Sequence, residues 1–86
     1  MYVVLYRKSV EKDLRKLPKA HREAIIRRIQ TLAVDPRPAG VIKLRGSDSL
    51  YRMRHTEYRI IYRLSDGELT VLVIKVGHRR EIYRDI

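Results

Sequence analysis

The stretch LYRMRHTEYRIIYRLSDGELTVLVIKV, Leu50 to Val76, changes sides with every residue and reverses direction twice, and its reading decides the fold. From Leu50 to Thr56 a strand period of two sends Tyr51 and Met53 to one side and Arg52 and Arg54 to the other. Tyr58 to Leu64 repeats the pattern, with Tyr58, Ile60 and Tyr62 set against Arg59, Ile61 and Arg63. A tight reversal near Thr56-Glu57 joins the two strands, and Ser65-Asp66-Gly67 is a second hairpin signal. Leu69 to Val76 is almost continuously apolar, as expected of a central strand that helices cover on at least one face.

Outward from this meander, Tyr2 to Tyr6 is a β-branched and aromatic run too short for a buried helix, and it predicts a first strand. Ser9 then occupies an N-cap position, with Glu11 and Asp13 in the following turn and Val10, Leu14 and Leu17 on one stripe, which predicts a helix over about Ser9 to Leu17. Pro18 ends that helix and opens a second, Lys19 to Val34, whose apolar face holds Ala24, Ile25, Ile29, Leu32 and Ala33. Two prolines and a glycine mark Asp35 to Gly40 as loop, Lys43 to Ser49 reads as a basic connector, and Gly77 to Ile86 is a short polar tail. The expected fold is α+β, in the order β-α-α-β-β-β: a small twisted, mainly antiparallel sheet with an N-terminal helical hairpin packed on one face. Residues 1–86 form a single domain, because a chain this short cannot divide its apolar residues between two stable cores.

Composition narrows the function classes. Zero cysteines exclude disulfide frameworks, zinc ribbons, iron–sulfur clusters and thiol catalysis, and no metal-ligand set stands in the sequence. No apolar run is long enough to span a bilayer and no secretory leader follows Met1, so the cytoplasm is the expected compartment. Twenty Lys and Arg against ten Asp and Glu give a formal charge of +10, which asks for a polyanionic partner. That charge is patterned: between Arg52 and Arg63 only Glu57 opposes the arginines, whereas ordinary solvated faces mix signs. If the arginine-bearing sides of the two strands coincide, one sheet face displays a guanidinium cluster, beside which the tail is expected to place His78, Arg79, Arg80, Tyr83 and Arg84. Arginine forks bind phosphate, a tyrosine ring stacks on an unpaired base and histidine moves protons near neutral pH, a set that suits RNA. Tyr51, Tyr58 and Tyr62 alternate with the arginines and read as core, and His55 at the hairpin end reads as surface.

Lys43-Leu44-Arg45-Gly46, Leu50-Tyr51-Arg52-Met53-Arg54, Tyr58-Arg59-Ile60-Ile61-Tyr62 and Val76-Gly77-His78-Arg79 with Glu81-Ile82-Tyr83 resemble, in order and spacing, the RelE/ParE toxin superfamily, RelE-type toxins most closely. The resemblance implies a fold similar to microbial ribonucleases. It also implies a toxin of a toxin–antitoxin pair that cleaves mRNA in the ribosomal A site without metal or cofactor and is neutralised by a RelB-like antitoxin through an acidic or amphipathic segment. Carried over by position, Arg52 and Arg54 stand where two catalytic basic residues are commonly lysines, Arg59 is the arginine of the YR strand, Arg79 follows the VG pair and Tyr83 is the C-terminal aromatic. Lys43, Arg45, Arg63 and Arg80 are expected to contact RNA or ribosome. Arg54 is a poor general base, because a guanidinium keeps its proton up to a pH above about 12; His78, His55 and Tyr83 are the candidates for moving the proton instead. Two other classes fit the charge: a ParE-like DNA gyrase inhibitor without nuclease activity, and a catalytically inactive RNA-binding homologue.

Overall fold

The structure, a computed structural model, describes residues 1–83. β1 (Val3–Tyr6) leads into α1 (Lys8–Arg15) and α2 (Lys19–Thr31), followed by β2 (Ile42–Lys43), β3 (Leu50–His55), β4 (Tyr58–Ser65) and β5 (Thr70–His78). The five strands form one sheet in the order β1-β5-β4-β3-β2, with β1 parallel to β5 and every other pairing antiparallel. The helical hairpin and the meander thus form as the hydrophobic pattern predicts. Three local expectations are corrected. Within the segment read as a connector, Ile42 and Lys43 pair with Arg52 and Tyr51, too short a pairing to show a period. α1 starts at Lys8, with Arg7 at the N-cap and no side-chain cap, so Ser9 lies inside the helix. Both helices also stop short, α1 at Arg15 and α2 at Thr31, although Leu17 and Leu32 beyond their ends are still in the core.

One side of the sheet is sealed by the helices. Val10, Leu17, Ile25, Ile29 and Leu32 pack on Tyr51, Met53, Ile60, Tyr62, Leu64, Val71, Val73 and Val76. Tyr62 is fully buried and donates its hydroxyl to Pro36 O at 2.6 Å, pinning the proline loop to the sheet. Arg37 fastens the same loop: it pairs with Asp66 at 2.7 Å, donates to the Tyr51 hydroxyl at 3.2 Å and lies over that ring. Arg37, and then the Tyr2 hydroxyl, hold the Asp66 carboxyl below the usual carboxylate range. Beyond Val73 the outer edge of β5 leaves β1 and meets α1, where Asp13 Oδ2 accepts from Val76 N at 3.1 Å.

A bulge in β5 decides what faces what. Ile61 pairs with Lys75 but Tyr62 pairs with Val73, so Ile74 is an extra residue and the alternation of β5 inverts there. Val71 and Val73 before the bulge, and Val76 after it, therefore all reach the helix side. Ile74 joins Ile61 and Ile82 in a second, smaller core on the opposite side, flanked by Leu44, Leu50 and Leu72. Ile82, fully buried, anchors the tail there after a turn in which Glu81 N and Ile82 N both donate to His78 O.

Candidate functional site

The side of the sheet away from the helices carries the arginines. Directly paired residues of neighbouring strands share a face, and Arg54 pairs with Arg59, Arg52 with Ile61 and Leu50 with Arg63. Arg52, Arg54, Arg59 and Arg63 therefore lie on one face, as the strand period predicts. Across from Arg59 on its other flank is Gly77, over which the Ile82 side chain packs, its Cδ1 3.5 Å from where a β-carbon would stand. Arg59 is crowded by like charge: burial first, then the Arg52 and Arg54 guanidiniums, with a further contribution from Arg79, push it below an arginine's ordinary value, while Tyr83 acts in the opposite sense. Cations gathered this closely are stabilised by an anion placed between them.

Each member is held from a different element. Arg59 donates through Nη1 to Thr56 O and Tyr58 O, both at 3.0 Å. Arg79 comes from the tail, its backbone N–H donating to Glu57 O at 2.7 Å and its Nε lying 2.8 Å from Glu57 Oε2. Arg52 donates through Nη1 to the Tyr83 hydroxyl at 3.1 Å, while its Nε is buried without a hydrogen-bond partner among the described residues. Because Tyr83 accepts that bond, its own O–H remains free to donate. Ile82 beside it supplies the anchorage, so Tyr83 stays 45% exposed at the rim of the cluster rather than serving as the packing residue of the tail. α2 reaches under the sheet to the same region, with Arg28 Nη1 donating to Arg54 O.

The remaining residues singled out in the sequence scatter, and Arg84 lies outside the described residues. Arg63 shares the face but stands four residues along β4 from Arg59, a separation of about 13 Å, with Ile61 and Ile82 between. Lys43 pairs with Tyr51 and so projects to the other side of the sheet edge, and Arg45 follows in the next turn; both are exposed. Arg80 is exposed, its backbone N–H donating to His78 Nδ1 at 3.2 Å. The expected place of His78 beside the arginines is corrected. It pairs with Tyr58, on the helix side, because the β5 bulge inverts the alternation before reaching it. There it begins a chain of ring contacts, with centroid separations of 6.0 Å for His78–Tyr58, 5.1 Å for Tyr58–His21 and 6.0 Å for His21–His55. Burial, then Arg28 and His21, lower His55 below its ordinary value of 6.5. The unfolded chain consequently takes up this proton first on acidification, so the contribution of His55 to stability is intact above about pH 6.5 and declines as the pH falls through the lower folded value. Thermal unfolding followed between about pH 7.5 and pH 5 should show a Tm decline that His55→Gln flattens; an identical profile in the variant would show that His55 is not responsible.

Two residues of this site escape a reading of the sequence. Glu57 stands out only as the lone acid among arginines, and Ile82 only as an apolar residue in a polar tail.

Comparison with known proteins agrees with this fold. Residues 4–83 match the family model described as the ParE toxin of the type II toxin–antitoxin system parDE. The chain is 31% identical over 84 residues to Toxin RelG of Mycobacterium tuberculosis, covering 96% of this chain and 97% of that protein. It is 33% identical over 78 residues to the mRNA interferase toxin RelE of Escherichia coli, covering 86% and 81% respectively. Among solved structures, the archaeal RelE–RelB complex from Pyrococcus horikoshii superposes with a TM-score of 0.81 at 35% identity, over 91% of this chain and 94% of that one. The likeness in sequence and in fold thus runs over nearly the whole length, and the chain belongs to the RelE/ParE superfamily of type II toxin–antitoxin toxins, as a toxin of the RelE type.

Proposed function

We propose that the protein is a ribosome-dependent endoribonuclease that cuts mRNA in the ribosomal A site and thereby stops translation. The observation that carries this reading is the convergence of Arg52, Arg54, Arg59, Arg79 and Tyr83 on the uncovered sheet face. Cleavage of RNA through its own 2′-OH forms a bond from the 2′-oxygen to phosphorus and breaks the bond to the 5′-oxygen, leaving a 2′,3′-cyclic phosphate and a 5′-hydroxyl. Arg59 and Arg79 hold the phosphoryl oxygens as charge accumulates on them, and Arg54 adds to the positive field. Arg52 orients Tyr83, whose free O–H donates toward the substrate or whose ring stacks on a base. Four guanidiniums repel a divalent cation from the place where a metal would have to act, so the reaction needs none. His78 and His55, on the far side of the sheet, take no part; the 2′-OH proton leaves to water or to a group of the ribosome, and the departing 5′-oxygen takes its proton from water or from the Tyr83 O–H. Arg63, farther along the same face, Arg80 in the tail, and Lys43 and Arg45 at the sheet edge contact RNA backbone away from the reacting phosphate.

Neutralisation follows from the same face. On that face, in register with Arg63, lie Leu50 and Leu72, half-buried, with Leu5 and Val3 of the edge strand 49% and 58% exposed. A cytoplasmic, RelB-like antitoxin whose segment bears both acids and apolar anchors matches that combination, and the archaeal relative is itself found in complex with RelB.

Expression without an antitoxin should arrest growth, with mRNA cut inside ribosomes, free RNA cut slowly or not at all, and EDTA without effect. A small basic face offers few groups to position a flexible strand, so the ribosome must supply the orientation. Arrest with intact mRNA and supercoiling-defective DNA would identify a gyrase inhibitor instead.

A further inference from the structure

The turn between β3 and β4 holds two of the cluster's arginines at once. Thr56 O and Tyr58 O fix Arg59, and the residue between them, Glu57, takes the Arg79 N–H on its carbonyl and faces Arg79 Nε with its carboxylate at 2.8 Å. Of the chain's ten acidic residues, Glu57 is the one that pairs with a cluster arginine among the described residues. The turn is built at a cost: Thr56 sits at φ +50, a left-handed conformation that a β-branched residue adopts only when its surroundings impose it.

We propose that Glu57 is the positioning residue for Arg79, gripping the guanidinium by Nε so that its two terminal nitrogens stay presented to a substrate phosphate. The proposal rests on the nuclease reading above and assigns that site a member which phosphate chemistry alone does not call for. The physical need is plain. Arg79 is a long side chain from the tail, and the like charge of Arg59 repels it from the place where it must act. A carboxylate on the side away from the substrate offsets that repulsion and removes rotamer freedom before the substrate arrives. The function is not structural, because the paired side chains are 53% and 57% exposed, and ion pairs that open to water contribute little to folding.

The test is Glu57→Gln, which preserves shape and removes charge. Single-turnover cleavage at saturating ribosomes should slow about tenfold with KM nearly unchanged, Tm within a degree or so of wild type, and partial recovery in Glu57→Asp. In an Arg79→Ala background Glu57→Gln should cost nothing further, because the residue it positions is gone. A wild-type rate in Glu57→Gln, or an undiminished tenfold loss on top of Arg79→Ala, overturns the proposal. A readout without catalysis separates it from the nuclease reading. The Arg79 Nε–H resonance should exchange slowly with water in the free protein and rapidly in Glu57→Gln; rapid exchange in both refutes the grip. Should wild-type protein leave ribosome-bound mRNA intact, the nuclease reading fails, while this resonance still decides whether Glu57 grips Arg79.

Discussion

Arg59→Ala and Arg79→Ala should each slow the cleavage of ribosome-bound mRNA about 10²-fold or more, with ribosome binding largely retained. A loss of that size is about 2.7 kcal/mol of transition-state stabilisation. The ground-state phosphodiester carries one negative charge spread over two oxygens, whereas the phosphorane formed by 2′-OH attack gathers more charge within reach of the same guanidiniums. Contacts that strengthen on the way to the transition state raise the rate, and contacts that do not raise only affinity. Arg59 is the member most committed to this task. Its own turn carbonyls fix it, and its crowding by Arg52, Arg54 and Arg79 is relieved as negative charge develops. Lys43→Ala should do the reverse. An exposed lysine at the sheet edge meets phosphate backbone without meeting the reacting group, so its loss should weaken binding and lower the salt slope by about one, with the rate once bound preserved. Single-turnover rates and ribosome affinities measured across a salt series separate the two classes. Wild-type rates in both arginine variants would remove Arg59 and Arg79 from the chemistry of cleavage.

What could be read in advance followed from how rigid each local rule is. A strand has one period, so Arg52, Arg54, Arg59 and Arg63 were bound to share a face once the Thr56-Glu57 reversal was recognised, and the register bears this out. β5 looked equally simple and was not. Its Val, Leu and Ile residues satisfy either face, and Lys75 is the single sign in the strand that unbroken alternation would bury a charge among Val71 and Val73. The bulge at Ile74 resolves that conflict and carries His78 to the helix side. The pairing of Ile42 and Lys43 left no trace because two residues are too few to display a period. Ser9 satisfied the composition of a cap without being one, since Arg7 N donates to Val73 O and the cap falls two residues earlier, at Arg7. Positions of charge along strands were therefore readable, whereas contacts made by a turn or a tail, Glu57 with Arg79 and Ile82 with Ile61, depend on where distant segments arrive.

Tyr62→Ala should be the most damaging single change to the fold, costing about 3–5 kcal/mol. Stability for a domain of this kind is about 5–15 kcal/mol in total, so the variant loses a large share of it and Tm should fall by roughly 15–30 °C. Tyr62 lies on β4 between β3 and β5, is fully buried, stacks on Tyr51 with centroids 5.8 Å apart and ties the proline loop down through its hydroxyl. Burial pushes that phenol above its ordinary pKa, so it remains a neutral donor to Pro36 O throughout the physiological range. Tyr62→Phe keeps the ring and gives up only this bond, and should cost about 1 kcal/mol. Tyr83→Ala provides the opposite case. Its ring is 45% exposed and Ile82 carries the packing of the tail, so Tm should scarcely move while cleavage declines. The pair separates two routes to lost activity, because Tyr62→Ala should regain its rate at temperatures low enough to restore the folded population, whereas Tyr83→Ala should stay slow at any temperature. A Tm within a few degrees of wild type in Tyr62→Ala would mean that the sheet holding Arg59 is organised around some other contact.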